Sequence, residues 1–452
     1  MTVKHFFPVE VEGEDYNLLY HAPSSKIARV PKHADMEKMS DEVIYQTFEK
    51  LKEVSISPKH REYGKGSIGI TFMSSRTCNL SCVYCFAGEG EYGDSEVKSK
   101  YISSDLYLDS VKAIDEMYPE GIKSISFFGG EPLLYFREIE SFVPEFEQYF
   151  ISRGREVPYI GISTNGSLLT NKKLEFIKQH NIKIVMSLDG PKEINDIARI
   201  VQKEGASIYD TVIKAIEKTK SHGVSFSIQM TINQNHIKQY KPGLAAEWLE
   251  IMEKFETENL AIVVVETDHA DLQIKDKAHL EVLDQMVREI TRYYINKLFE
   301  ETPVIRAKGM IAALIQLAKG KYVDSCSAGH SVFVDTDGGI YPCHMFCNDD
   351  QFLLGNVRDG GMDREKVNVQ ANIDRMDGDR CKVCIAQSVC SFWCKGIQYL
   401  STGDMYEVLD SRCVFQIANV EECLKALANL KKGTDMYTRF WNNVANANKQ
   451  AL

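Results

Sequence analysis

Between residues 67 and 267 the chain repeats one pattern about six times: a short apolar run, a turn, then an amphipathic stretch. The strand candidates are SIGITFMSS (67–75), SISFFGG (124–130), YIGISTNG (159–166), IKIVMSLDG (182–190), SFSIQMTIN (225–233) and LAIVVVET (260–267). Between them lie segments of helical period such as SSDLYLDSVKAIDEMY, LTNKKLEFIKQH and IYDTVIKAIEKTKSHG. Strand, helix, strand in this order implies an α/β fold with a parallel sheet and right-handed crossovers. Six units suit an open, partial (β/α)6 barrel better than a closed barrel of eight.

The flanks follow other rules. Residues 1–62 read as a small α+β unit: HFFPVEVEG, YNLLYHA and KIARVP are short strand-like runs separated by turn residues. MSDEVIYQTFEKLKEV follows with helical period, with Ser40 or Asp41 as its N-cap. The repeating core spans 63–275, and 276–325 is a helical connection with LEVLDQMVREITRYYINKLFEE strongly periodic. From 326 to 425 the pattern breaks into hairpins and cysteine-rich loops, with TDGGIYP as a turn, and 426–452 is a helical tail.

Apolar residues make up 44% and charged residues 26%, as in ordinary soluble domains. A formal charge of −11 excludes a general nucleic-acid binder. The first twenty residues lack the apolar core of a signal peptide, and no run approaches the ~20 apolar residues of a membrane span. The expectation is a cytoplasmic protein without a membrane partner, where twelve cysteines read as metal ligands rather than bridges. Three lie at 78–85 and nine from 326 onward, which indicates two metal-bearing regions.

Cys78, Cys82 and Cys85 directly follow the first core strand, at the end where active-site loops of βα barrels converge. Thiolates suit iron–sulfur clusters or zinc. A structural zinc site has four protein ligands, and no fourth cysteine or histidine is near, so an open coordination position is the natural inference. Glycines Gly129 and Gly130 in GGEP permit close backbone approach, and Glu131 can accept from an ammonium. STNG offers Ser163 and Asn165, and SLDGPKEINDIAR offers Ser187, Asp189 and Arg199, the last suited to a carboxylate.

The spacing Cys-x3-Cys-x2-Cys after strand one, with GGEP after strand two, resembles the radical S-adenosylmethionine (SAM) enzymes. The resemblance implies a [4Fe–4S] cluster on Cys78, Cys82 and Cys85, whose fourth iron takes the amino and carboxylate groups of SAM. It also implies an adenine-side wall from Tyr84 and Phe86. The later run CKVCIAQSVCSFWC, with Gly338-x4-Cys343 before it, is similar to the SPASM extension of that family. Together the two resemblances cover roughly residues 65–415. Carried over by position, Cys326, Cys343 and Cys394 would hold a first auxiliary [4Fe–4S] cluster, for three clusters in all. Cys381, Cys384, Cys390 and Cys413 would hold the second. Cys347 is the nearby candidate for the fourth ligand of the first, with a small buried thiol as the alternative; Cys423 reads as core.

SPASM enzymes modify peptides or proteins. The resemblance implies a thioether-forming maturase of a ribosomally made precursor peptide, of ranthipeptide or sactipeptide type, reduced by an external donor such as flavodoxin or ferredoxin. The N-terminal unit resembles a winged-helix-like leader-recognition domain that adds the leader as an edge strand, with Lys26, Arg29 and Lys32 facing an acidic peptide. Carbon–carbon crosslinking and formylglycine formation on a sulfatase are the near alternatives. A zinc-stapled peptide-binding module is the alternative of another class.

Overall fold

The computed structural model describes residues 5–33, 62–85, 87–88, 99–200, 206–267, 271–319, 326, 328, 330–428 and 430–449. The helix expected over MSDEVIYQTFEKLKEV and the side chain of Phe86 lie outside them.

The three N-terminal runs form an antiparallel sheet in the order β1 (Phe6–Val9), β2 (Tyr16–His21), β3 (Lys26–Pro31). Its inner residues Leu18, Leu19 and Tyr20 are fully buried. They pack toward the C-terminal half of the chain instead of forming a core of their own: the Arg29 guanidinium and the Tyr16 hydroxyl both donate to the Ala428 carbonyl, at 2.6 and 3.2 Å.

The six alternating units fold as the pattern requires. Strands β4 (Ile68–Ser75), β5 (Ile122–Gly129), β6 (Tyr159–Thr164), β7 (Lys183–Ser187), β8 (Phe226–Ile232) and β9 (Leu260–Val264) lie side by side in that order, each parallel to the next. The strands stop short of the expected NG, LDG and TN-type tails, because those residues turn out of the sheet; Gly166 and Gly190 have φ of +77° and +118°.

Alternation decides what each face does. On one face Ile70, Phe72, Ile125, Phe127, Ile160, Ile162, Ile184, Met186 and Ile228 are buried beneath the crossover helices. Phe72 and Phe127 meet Tyr107 of the helix Ser104–Met117 and Phe142 of the helix Phe136–Ile151, with centroids 4.9–6.4 Å apart. The opposite face carries small and polar residues among larger ones such as Met73 and Phe128. Register places Thr71 beside Ser126, Ser126 beside Gly161, and Ser187 beside Gln229. An open parallel sheet with such a face has room for a ligand at its carboxyl ends.

The cysteine-rich region, expected as a separate unit, is continuous with this sheet. Strand β10 (Ser331–Val334) pairs parallel to the outer edge of β4, and β11 (Gly339–Tyr341), β12 (Gly355–Asn356) and β13 (Gly361–Met362) follow antiparallel. An exposed edge on β4 would leave its amides and carbonyls unpaired, and β10 covers it. The helix Asp410–Ala428 begins earlier than the tail pattern indicated and packs on the helix Lys277–Lys297, where Arg288 pairs with Asp284, Glu421 and Glu422. Cys423 lies fully buried on that helix, as expected of a core thiol. Among the described residues no helix is long and apolar enough to cross a membrane.

Candidate active site and metal centres

The loop after β4 carries Cys78, Cys82 and Cys85 and is held from three sides. Ser81 and Val83 donate their backbone N–H groups to Ile200 and Ala198, at 2.9 and 3.0 Å. Glu131 N donates to Thr77 O at 2.9 Å, and Gly130 N to Ser75 O at 2.7 Å. A Cβ at Gly129 would stand 2.3 Å from the Ser75 carbonyl, so GGEP can lie this close to β4 only with glycine there. The segment after β7 and the GGEP turn thus fix the loop's backbone before any ligand is considered.

Arg76, two residues before Cys78, forms a fully buried bidentate pair with Asp335 at the end of β10. That pair joins the cysteine loop to the hairpin bearing Cys343 across 259 residues of sequence. Neither partner was singled out in the sequence, since a lone Arg and a lone Asp carry no local pattern.

Glu131, expected to meet an ammonium, is turned inward instead. Its carboxylate is 0% exposed and accepts from Leu133 N (3.0 Å), Thr164 Oγ1 (2.8 Å) and Asn165 N (2.8 Å). Burial raises its pKa, and those three donors and Lys173 oppose the rise. The carboxylate therefore locks GGEP to STNG, and the missed partner is Thr164.

STNG is in turn locked to the cysteine loop. Asn165 Oδ1 accepts from Ser167 N and Oγ at 2.9 and 2.6 Å, and its amide nitrogen faces Asn79 Oδ1 at 3.0 Å and Cys78 Sγ at 3.8 Å. Ser163, the penultimate residue of β6, and Ser187, the last of β7, are half-buried on that opposite face.

Arg199 is also engaged within the protein. Its Nη1 donates to the Tyr84 hydroxyl at 2.5 Å, which donates to Asp189 Oδ2 at 2.6 Å, and the guanidinium lies 3.9 Å from that carboxylate. Asp189 is fully buried and also accepts from Thr231 N at 3.1 Å. Burial raises the Asp189 pKa, with Arg199 and the hydrogen bonds opposing. Tyr84, Asp189 and Arg199 are brought together as expected, but as a buried network beside Cys82. Arg199 Nε has no hydrogen-bond partner among the described residues, one donor left over at the cysteine loop. His236 secures the turn from beneath: its Nδ1 accepts from Asn233 N at 3.1 Å, so Nε2 donates to Asp189 O at 2.7 Å.

The later cysteines fall into two groups. Cys343 lies within electrostatic reach of Cys394 and Cys326. The helix Lys395–Thr402 that Cys394 caps brings Gly396 so close that a Cβ there would be 3.4 Å from Cys343 Sγ. Cys381, Cys384, Cys390 and Cys413 form the second group and line one cavity with Phe392 and Trp393. These are the two sets expected by position. Cys347 is buried in a small apolar cluster with Met73, Phe333, Tyr341 and Phe346; its Sγ is 3.7 Å from Asn348 Oδ1, and it lies within electrostatic reach of Arg76. Cys85, Cys343 and Phe128 pack against the same cluster, which sets the first group at the mouth of the sheet beside the cysteine loop. His344, unremarked in the sequence, meets Phe128 in a tilted ring contact with centroids 4.7 Å apart.

The donor set, thiols alone, is one that iron–sulfur clusters and zinc share. Burial pushes Cys78 and Cys381 up to about 11 and Cys413 up to about 12, so a bound cation would favour their thiolates.

Residues 72–236 match the sequence family described as the Radical SAM superfamily. A cysteine-type anaerobic sulfatase-maturating enzyme of Clostridium perfringens (strain 13 / Type A) is 25% identical over 71% of this chain and 87% of its own. The radical SAM cyclopropyl synthase TigE of Paramaledivibacter caminithermalis is 22% identical over 91% of each chain. Among solved structures, histidine-tagged anSMEcpe with bound AdoMet superposes with a TM-score of 0.67, at 19% identity, over 85% of this chain and 99% of that one. Streptococcus suis SuiB bound to precursor peptide SuiA gives a TM-score of 0.55, at 14% identity, over 88% and 96%. At such identities the two structures establish the shared fold.

Proposed function

We propose, from the match of residues 72–236 to the Radical SAM superfamily, that the chain is a SPASM-type radical SAM maturase that joins cysteine sulfur to carbon in a ribosomally made precursor peptide. The observation that carries the reading is the first auxiliary group. It gathers three thiols, Cys326, Cys343 and Cys394, while Cys347 is occupied beside Asn348 and Arg76. One coordination position is then left for a peptide thiolate. In this reading Cys347, the other candidate for that position, stays a buried thiol.

In this reading Cys78, Cys82 and Cys85 hold the cluster that, with SAM and one electron, supplies a 5′-deoxyadenosyl radical able to take a hydrogen atom from an unactivated carbon. Gly130 and the GGEP backbone, held by Glu131, receive the SAM amino end. The small residues Ser126, Gly161 and Ser163 leave room for the nucleoside and the peptide. Thioether formation removes two hydrogens from the peptide: one leaves as an atom to 5′-deoxyadenosine, the other as the thiol proton. A cluster held by Cys326, Cys343 and Cys394 would be the acceptor for the remaining electron, and Cys343 packs against the same apolar cluster as Cys85 of the cysteine loop.

Support for a peptide substrate comes from SuiB, crystallised with its precursor peptide SuiA, and from anSMEcpe, crystallised with bound peptide. The outer edge of β3, where Lys26 is exposed, is the proposed edge for a leader strand, and flavodoxin or ferredoxin the proposed electron source. The test is anaerobic incubation of the reconstituted protein with SAM, dithionite and cysteine-containing precursor peptides. The expected product is lighter by two hydrogens and has lost one alkylatable thiol. A peptide that instead gains an aldehyde, or a crosslink that leaves the thiol reactive, contradicts the thioether reading while keeping the radical SAM one.

A further inference from the structure

The side chain of Asn165 makes a contact that neither fold nor motif requires. We propose that Asn165 sets the reduction potential of the cluster held by Cys78, by donating an amide N–H to the Cys78 sulfur; this deepens the reading of Cys78, Cys82 and Cys85 as cluster ligands and rests on it.

Three features of the geometry support a built hydrogen bond. First, the amide cannot be turned around. Asn165 Oδ1 accepts from both Ser167 N and Ser167 Oγ, so the nitrogen is the end that faces Cys78 Sγ at 3.8 Å. Second, the amide is anchored on both sides. Nδ2 also donates to Asn79 Oδ1 at 3.0 Å, and the residue's own backbone N–H is held by Glu131 Oε2. Third, Asn165 is 6% exposed, so little water competes for the sulfur.

A hydrogen bond to a ligating sulfur stabilises the more electron-rich, reduced cluster and raises its potential. Other groups also act on Cys78: the Leu80 N–H favours its thiolate, and the Glu131 and partner-cysteine charges disfavour it. On the far side of the loop, Arg199 at Cys82 shares its charge with Asp189. Asn165 is thus a neutral side-chain donor aimed at one ligand, acting through it as a positioning residue.

The test is a redox titration of the reconstituted full-length protein without SAM, followed by EPR. The relevant signal is the one that SAM addition perturbs, and iron content is measured alongside. In Asn165→Ala the ratio of reduced to oxidised cluster at fixed potential falls about tenfold, which is about 59 mV for one electron. Asn165→Asp keeps the acceptor for Ser167, replaces the donor with charge, and shifts further in the same direction. Ser167→Ala removes a hydroxyl but leaves the amide held by Ser167 N, and the midpoint stays at the parent value. The proposal is overturned if both Asn165 variants titrate with the parent. It is equally overturned if Ser167→Ala shifts as far as Asn165→Ala, or if both Asn165 variants lose the cluster while Ser167→Ala retains it. A parent protein that assembles no cluster on Cys78, Cys82 and Cys85 is a failure of the underlying reading, seen in iron content before any titration.

Discussion

Asp189 is held through its side chain by Tyr84 and Thr231 and through its carbonyl by His236, so the turn after β7 depends on a neutral imidazole. Burial lowers the His236 pKa from 6.5 to about 4. Protonation would oblige Nδ1 to give up the Asn233 N–H, so the folded state binds its proton later than the unfolded chain does. The stability this contributes, at most about 3 kcal/mol, is present above pH ~6.5 and lost as pH falls through about 4. His236→Gln keeps a donor and an acceptor but does not titrate. Its melting temperature should fall less than the parent's between pH 7 and 4.5. The Arg76–Asp335 pair gives a second expectation at this scale. Arg76→Met leaves a buried carboxylate uncompensated and should cost about 3–5 kcal/mol, most of it recovered by adding Asp335→Leu. A double-variant loss equal to the sum of the two single losses, read by denaturant midpoints, would show that the pair is not coupled.

The six barrel strands were legible because each apolar run alternates and ends in turn residues, and a strand buried on one face leaves no other reading of IGIS or SISFF. The parallel attachment of β10 to β4 was not legible, since a short run after a cysteine loop carries no record of a partner so far back in the chain. Nor was the docking of the N-terminal sheet. Ser388 Oγ donates to Ala22 O at 2.7 Å and lies 3.4 Å from the Tyr20 hydroxyl, within the loop between Cys384 and Cys390. Arg375 grips the same loop from inside, through the Gln387 carbonyl. The sheet therefore covers the second auxiliary group. Tyr20→Ala should destabilise this contact by about 3–5 kcal/mol and accelerate amide hydrogen exchange across 384–390. Unchanged exchange there would mean that the sheet merely rests on the loop.

For the molecule as a whole, the cysteine positions told more than any other feature. The interleaved sets Cys326/Cys343/Cys394 and Cys381/Cys384/Cys390/Cys413 come together in space despite crossing in sequence. The roles of the motif residues were less legible, because a carboxylate or guanidinium in a motif does not disclose which way it points. Glu131 and Arg199 are both hydrogen-bonded to neighbouring loops of the protein. The central proposal is that the chain is a radical SAM protein with two further clusters, and metal content with SAM cleavage tests it most directly. The parent, reconstituted anaerobically, should hold about twelve irons and release 5′-deoxyadenosine when given SAM and dithionite. Replacing Cys78, Cys82 and Cys85 together by Ala should remove about four irons and all SAM cleavage. Zinc in place of iron, with SAM left intact, would contradict the account.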